Sequence, residues 1–116
     1  VSYKADVKER RGSRGIAFIE KLLRRGIKVE VYDPYFRPED LSDINCRVGE
    51  TLEETVKGVD CVVITVGHRQ FKELNLKELK SLMAAKSALV DLACVINPKK
   101  AREAGFTFRS LGRPSR

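Results

Sequence analysis

Apolar residues near the start of the chain recur at helical spacing. Ile19 lies three positions after Ile16 and three and four positions before Leu22 and Leu23, which places these residues on one face of a helix. Gly26 follows directly, at a point where helices commonly end with a glycine. The pattern therefore predicts an amphipathic helix that ends at Gly26, with core residues at Ile16, Ile19, Leu22 and Leu23.

Four later segments have the composition of β-strands. They cover residues 28–32, 61–66, 88–92 and 106–111, and each is rich in β-branched or other apolar residues. The run from Cys61 to Val66 is almost continuously apolar, as in a parallel strand that is buried on both faces. We therefore expect this strand to lie in the middle of a sheet.

Helix signals lie between these strands. Thr51 and Glu54 form a capping box ahead of a short helix that should end at Gly58, and Asn75 opens a helix that should end near Ala84. Asn97-Pro98 opens another helix, with Gly105 beyond its end. Residues 35–47 predict a loop with one short helical turn at Pro38–Leu41.

Strands and helices thus alternate along the chain. This order predicts an α/β fold: a three-layer, doubly wound, mostly parallel Rossmann-like sheet with helices on both faces. A length of 116 residues indicates that residues 1–116 form a single domain. No apolar run approaches the roughly 20 residues that span a bilayer, and no secretory signal pattern is present, so we expect a cytoplasmic protein without membrane contact.

The segment ahead of the first helix is strongly basic. It carries Lys4, Lys8, Arg10, Arg11 and Arg14 against two acids, in a chain whose net charge is +7. Val1 and Tyr3 are typical of the end of a strand, so this loop should lie at the carboxyl edge of the sheet, beside the positive end of a helix. A phosphate ligand is one interpretation, and a solvated basic loop is the other.

Cysteine and glycine patterns limit the possible chemistry. The three cysteines are far apart and are accompanied by one histidine, which favours free thiols and no metal site. The dinucleotide fingerprint G-x-G-x-x-G is absent, although Asp33 ends the second predicted strand, where a ribose-binding acid would be expected. Asp33 is better interpreted as a turn residue ahead of Pro34.

Several segments together resemble one family. They are Tyr3-Lys4-Ala5-Asp6-Val7 with Arg11 and Ser13, Val31-Tyr32-Asp33-Pro34-Tyr35, Thr51-Leu52-Glu53-Glu54, His68 with Phe71-Lys72-Glu73-Leu74, Asp91-Leu92, and Ala104-Gly105-Phe106 with Gly112-Arg113. In order and spacing the chain resembles the C-terminal UDP-binding domain of the UDP-glucose/GDP-mannose dehydrogenase family. The opening segment resembles the UDP-N-acetylmannosamine dehydrogenase and related archaeal or bacterial branch more than the animal UDP-glucose enzymes.

The resemblance implies a piece of a longer NAD-dependent enzyme that oxidises a sugar C6 alcohol to a carboxylate. It implies that Tyr3 and Lys4 contact the nucleotide sugar, that Arg11 faces the NAD side of the cleft, and that no catalytic residue lies in this chain. NAD would be bound mainly by an N-terminal domain outside this sequence. The resemblance further implies a UDP-sugar substrate and a homo-oligomeric full-length enzyme, and we expect no dehydrogenase activity from the present chain alone.

Two departures from the family pattern stand out. The opening loop has Lys8-Glu9 where an acidic pair is common, and Ser13-Arg14-Gly15 where Ser-Pro-Ala is common. An arginine usually follows Asp91, but this chain has Leu92, Ala93 and Cys94. One substrate contact of the family is therefore missing, which leaves the identity of the sugar open.

Two other classes of function remain open at this point. The positive charge would suit a nucleic-acid-binding module, although aromatic residues interleaved with basic ones are few. A structural or assembly domain without ligand contacts would also fit one compact piece of a larger protein. His68 and Gln70 follow a strand at a potentially functional edge, but a lone histidine is more often a packed loop residue than a catalytic one.

Overall fold

The computed structural model describes residues 14–110. Five α-helices, one 3₁₀ helix and five strands are present in this part of the chain. In chain order they are α1 (Arg14–Arg24), β1 (Glu30–Val31), a 3₁₀ helix (Pro38–Leu41), β2 (Arg47–Val48), α2 (Leu52–Val56), β3 (Cys61–Ile64), α3 (Arg69–Lys72), α4 (Leu76–Leu82), β4 (Ala88–Asp91), α5 (Pro98–Glu103) and β5 (Thr107–Ser110).

The strands form two parallel sheets. The smaller pairs β1 with β2, Val31 lying opposite Val48. The larger has the order β3-β4-β5, so that Val62 lies opposite Leu89, and Leu89 opposite Phe108. Parallel strands joined through helices confirm the predicted α/β, Rossmann-like class.

The helix ends follow the capping signals of the sequence. Gly26, Gly58 and Gly105 have φ angles of 77°, 74° and 101°, a region that favours glycine after a helix. The Asn97 side chain accepts hydrogen bonds from the backbone N–H groups of Lys99 and Lys100, with Pro98 as the first helical residue. These caps explain why α1, α2 and α5 end or begin where the sequence predicts.

At α2, one of the two hydrogen bonds of the predicted capping box is present. The Thr51 hydroxyl accepts a hydrogen bond from the Glu54 backbone N–H, as predicted. The Glu54 carboxylate instead accepts a hydrogen bond from the Arg47 guanidinium at 2.9 Å. The Glu54 carboxylate, which the capping pattern predicts to bind a backbone N–H at the start of α2, therefore pairs with Arg47 of β2.

Three features differ from the predictions. Arg47–Val48 is a strand, although the predicted loop included Arg47, and Arg69–Lys72 is a separate short helix where the sequence analysis assigned no element. The third concerns β3, which was expected in the middle of the sheet. Among the described strands β4 holds that position and β3 lies at one end, with Cys61 exposed and Val62 and Val63 half-buried.

Each sheet has its own hydrophobic core. The first half of the described chain, residues 14–48, is built around the small sheet, and the second half, residues 49–110, around the large one. The buried core of the first half consists of Ile19, Val31, Phe36, Leu41 and Ile44. The buried core of the second half consists of Val56, Ile64, Leu79, Met83, Leu89, Ile96, Ala101, Phe106 and Phe108.

The three cysteines are free thiols, as predicted, with Cys61 and Cys94 exposed. Burial raises the pKa of the Cys46 thiol. Burial, together with the negative charge of Asp60, raises the pKa of Cys61. Neither environment favours the reactive thiolate.

Candidate functional site

Polar residues at the carboxyl ends of three strands are buried. Asp33 follows β1, His68 follows β3 and Asp91 is the last residue of β4; each is at most 2% exposed. Buried polar groups of this kind require partners. Since ligands of parallel α/β sheets bind at the carboxyl edge, these residues define the candidate site.

Asp33 and His68 join the two sheets at this edge. The His68 Nε2 atom lies 3.2 Å from the Asp33 Oδ2 atom, although the residues are 35 positions apart in sequence. The other carboxylate oxygen of Asp33 accepts a hydrogen bond of 2.9 Å from the Tyr35 backbone N–H, across Pro34. The turn role predicted for Asp33 is thereby confirmed, and the same side chain also anchors His68.

Aromatic side chains enclose the His68 ring. The ring centroid lies 4.7 Å from that of Tyr35 and 5.5 Å from that of Phe71, both in tilted orientations. His68 is fully buried. Its packing agrees with the sequence-based interpretation of a packed loop histidine.

The buried environment affects the ionisation of Asp33. Burial acts to raise the pKa of this carboxyl group, yet its pKa is lowered overall because nearby positive charge and the Tyr35 N–H stabilise the ionised form. Asp33 is therefore a carboxylate at neutral pH. It can hold His68 in one orientation by accepting a ring N–H.

Asp91 organises the loop after β4. Its Oδ1 atom accepts a hydrogen bond of 3.1 Å from the Ala93 N–H, and its Oδ2 atom accepts one of 2.7 Å from the Ile96 N–H. Cys94, at the exposed tip of this loop, has a φ of 58°, unusual for a residue with a side chain. The carboxylate thus fixes the conformation of the loop from Leu92 to Ile96.

Gly67 allows two loops of the edge to approach each other. A Cβ atom at this position would lie 2.9 Å from the Val95 Cγ1 atom, closer than packed carbon atoms approach. The loop after β3 therefore packs directly against the loop after β4. With the Asp33–His68 contact, all three loops at this edge are held together.

The residues that the sequence assigned to ligand contacts, Tyr3, Lys4 and Arg11, lie outside the described residues, so their assignment stays a prediction. The sequence did not predict the Asp33–His68 pair. The available signal was that both residues follow predicted strands within a few positions. No group of three or more potential metal ligands occurs within residues 14–110.

Comparison with known protein families shows to which family the chain belongs. Residues 1–98 match the family described as UDP-glucose/GDP-mannose dehydrogenase family, UDP binding domain. The chain belongs to this family. The match includes Tyr3, Lys4 and Arg11 together with the three loops of the edge.

Curated relatives of this UDP-binding domain are nucleotide-sugar dehydrogenases. The chain is 28% identical to the UDP-N-acetyl-D-mannosamine dehydrogenase of Methanococcus aeolicus over 114 residues, which is 97% of this chain and 25% of the relative. It is 32% identical to the enzyme of the same name from Pyrococcus horikoshii, with 97% and 24% covered. It is 26% identical to the UDP-glucose 6-dehydrogenase of Rickettsia conorii, with 97% and 26% covered. The chain thus spans about a quarter of the length of these relatives.

Solved structures agree with the fold. An NDP-N-acetyl-D-galactosaminuronic acid dehydrogenase from Methanosarcina mazei superposes with a TM-score of 0.73 at 24% identity, over 97% of this chain and 22% of that one. A UDP-D-ManNAc dehydrogenase from Pyrococcus horikoshii gives a TM-score of 0.53 at 22% identity, over 89% and 30%. At this identity the likeness concerns the fold alone.

Proposed function

We propose that this domain binds the nucleotide sugar in a longer NAD-dependent dehydrogenase that oxidises the C6 alcohol of a UDP-sugar to a carboxylate. The family match over residues 1–98 carries the proposal. The relatives named above include enzymes for two different sugars, so the proposal extends to the UDP-sugar class and not to one sugar.

The opening loop is proposed to supply the ligand contacts. Lys4 would bind the diphosphate of the sugar nucleotide as a positive point charge, and Tyr3 beside it would contact the nucleotide sugar. Arg11 would face the NAD side of the cleft. Contacts within and between the loops after β1, β3 and β4 make this edge of the sheet rigid. The opening loop can be positioned next to a rigid edge of this kind.

Asp33 is not proposed to bind the ribose of NAD. Asp33 occupies the place of a ribose-binding acid, but it is 2% exposed and its carboxylate is engaged by His68 and the Tyr35 N–H. A buried, occupied carboxylate is not available to a ribose hydroxyl. NAD, which would accept the hydride, is therefore assigned mainly to the other part of the full-length protein, with Arg11 as the contribution of this domain.

The domain is proposed to bind and orient, without performing the chemistry. The family resemblance places the catalytic cysteine on a segment that this sequence does not include, and Cys46, Cys61 and Cys94 do not match that position. The raised pKa of Cys46 and of Cys61 agrees with their exclusion. We accordingly expect the 116-residue chain alone to produce no NADH from any UDP-hexose.

Steady-state kinetics of the full-length protein tests the Lys4 assignment. Lys4→Ala should raise KM for the nucleotide sugar roughly ten- to hundredfold, equivalent to about 1.5–3 kcal/mol, which is the usual range for a hydrogen bond to a charged group. The matched control is Lys28→Ala: Lys28 is exposed and precedes β1, at the opposite end of that strand from Asp33. Its removal should leave KM nearly unchanged.

An equal rise of KM in both variants, with one steep common salt dependence, would instead indicate diffuse electrostatic attraction and refute the specific role of Lys4. Titration of the 116-residue chain with UDP, NAD and short DNA, followed by amide NMR shifts, separates the other classes of function. Shifts with UDP alone would support the proposal. Shifts with DNA alone would favour a nucleic-acid module, which the structure does little to support because none of the aromatic side chains in residues 14–110 is exposed.

Location and assembly stay predictions. Within the described part of the chain, no helix is both long and apolar enough to cross a membrane. A cytoplasmic location, a homo-oligomeric full-length enzyme and a separate N-terminal NAD-binding domain are the arrangement that the proposal implies.

A further inference from the structure

Strand β5 ends the larger sheet within residues 14–110, and its outer edge faces away from β4. The Thr107 N–H donates to the Ser87 carbonyl on the β4 side of the strand. Because successive residues of a strand direct their backbone groups alternately to the two sides, Phe108 and Ser110 direct theirs outward. No strand in the described part of the chain pairs with this edge. An edge of this kind can bind a strand of another chain.

An arginine side chain engages the outward carbonyl of this edge. The Arg109 guanidinium donates a hydrogen bond of 2.9 Å from Nη1 to the carbonyl oxygen of Phe108, the residue before it. The Arg109 side chain is exposed, so burial does not force it into this position. The acceptor that an incoming strand would need is therefore already bound to a cation of the same chain.

A second cation lies at the same edge. The guanidinium carbon of Arg102, in α5, is 6.0 Å from the centroid of the Phe108 ring. The Phe108 side chain is 3% exposed and belongs to the core of the second half. Two arginines thus flank one residue of the edge strand. Charged side chains on an edge strand oppose its pairing with another chain.

The partner that fits this edge is the same strand of a second copy. Two copies related by a two-fold axis present identical edges to each other. In an antiparallel pair centred on Phe108, the N–H of each Phe108 would donate to the carbonyl oxygen of the other, and each Ser110 N–H to the Phe106 carbonyl of the other copy. This pairing needs the Phe108 carbonyl to which Arg109 is bound. It would also bring the arginines of both copies together, and like charges across a strand pair are destabilising.

We propose that Arg109 protects the outer edge of β5 against self-association: its guanidinium blocks the Phe108 carbonyl, and without it two copies of the chain pair through β5. The inference is independent of the proposed ligand chemistry. A homo-oligomer of the full-length enzyme must then form through another surface.

Sedimentation velocity of the 116-residue chain tests this role. Arg109→Thr removes the guanidinium and leaves a residue that suits a strand. The variant should dimerise with a dissociation constant at least about tenfold below that of the wild type, because the carbonyl becomes available. Lys57→Thr is the matched control, since Lys57 is exposed and lies between α2 and β3, at the other end of this sheet. It removes the same charge and should leave the association unchanged.

A second substitution locates the contact. Ser110→Pro removes an outward N–H and spares the β4 ladder, and proline is tolerated at such positions of an edge strand. Added to Arg109→Thr, it should restore the monomer. Amide hydrogen exchange of Arg109→Thr gives the same information by residue. Protection of the Phe108 N–H should rise with protein concentration, whereas that of the Thr107 N–H, which faces β4, should not.

Other results would overturn the proposal. An Arg109→Thr variant as monomeric as the wild type would show that the edge needs no protection by this side chain. Equal association of Lys57→Thr would assign the effect to net charge. A dimer that survives the added Ser110→Pro would place the contact elsewhere on the molecule.

Should the 116-residue chain fail to fold, the same variants of the full-length protein decide. Arg109→Thr should then form a larger assembly than the wild type, and the added Ser110→Pro should abolish it. An assembly of unchanged size, or a larger one that Ser110→Pro does not reverse, would refute the protective role of Arg109.

Discussion

The two halves of the described chain reach stability in different ways. In residues 49–110 three strands of four residues each form one ladder, and capped helices cover it. In residues 14–48 the two strands have two residues each. Much of the core there comes from the connection between them, with Phe36, Leu41 and Ile44 buried.

The difference shows how a connecting segment can replace regular structure. The 3₁₀ helix Pro38–Leu41 carries Leu41 into the core with no exposed surface. Backbone hydrogen bonds fix the second half residue by residue, whereas the first half depends on side chains of a connecting segment that pack against α1 and β1. We expect the first half to adapt more readily to the loss of a side chain.

The largest effect should come from a large-to-small substitution in each core. Leu89→Ala in β4 should lower the free energy of unfolding by about 3–5 kcal/mol, since a residue inside a three-stranded ladder leaves a cavity that cannot close. Leu41→Ala removes the same atoms from the first half and should cost about 2–3 kcal/mol, because the loop can relax into the space. Urea unfolding measures both.

Ile27, at 47% exposure, is the control for this pair. Ile27→Ala should change the free energy of unfolding by less than about 1 kcal/mol, because little buried surface is lost. A cost for Leu41→Ala equal to or above that of Leu89→Ala would show that the first half is packed as rigidly as the second.

An intermediate effect is expected where the halves meet at the buried Asp33–His68 pair. Asp33→Asn or His68→Gln alone should lower the free energy of unfolding by about 3 kcal/mol, because each leaves a buried polar partner incompletely satisfied. The double variant should lose clearly less than the sum of the two, with a coupling energy of about 1–2 kcal/mol. Strict additivity in urea unfolding would mean that the two side chains act separately.

The pH dependence of stability checks the ionised state of Asp33. The pKa of Asp33 is lowered from its ordinary value of 3.8. The unfolded state therefore binds the proton more readily, so the stabilisation is complete above this value and is lost as pH falls through the lower folded-state pKa. Between pH 5 and about 2, the wild-type free energy of unfolding should decrease more steeply than that of Asp33→Asn. Parallel curves would contradict a lowered pKa of Asp33 in the folded state.

The smallest effect should come from the exposed ion pair between the halves. Arg47 on β2 lies 2.9 Å from Glu54 of α2 and 3.4 Å from Glu30 of β1, but its side chain is 62% exposed. Arg47→Ala should cost about 0.5 kcal/mol or less at 0.15 M salt, because water and ions screen such pairs. A loss above about 1.5 kcal/mol would show that this surface contact, together with the buried pair, holds the halves together.

The sequence alone determined the features that depend on neighbouring residues. The caps at Thr51, Asn75 and Asn97 bind the N–H groups that a capping pattern predicts. The helical turn at Pro38–Leu41 and the glycine ends of α1, α2 and α5 follow from local backbone preferences. The same local information was enough for the alternation of strands and helices, and with it the fold class.

Tertiary structure decided what depends on distant partners. The two-residue strand β2 exists because Val48 pairs with Val31, and no local preference of Arg47–Val48 predicts it. The place of β3 in the sheet and the Asp33–His68 contact depend on which strand edges meet. The spacing of apolar residues or a helix-capping residue depends on the conformation of a few consecutive residues. Which two strand edges meet is determined by the path of the whole chain.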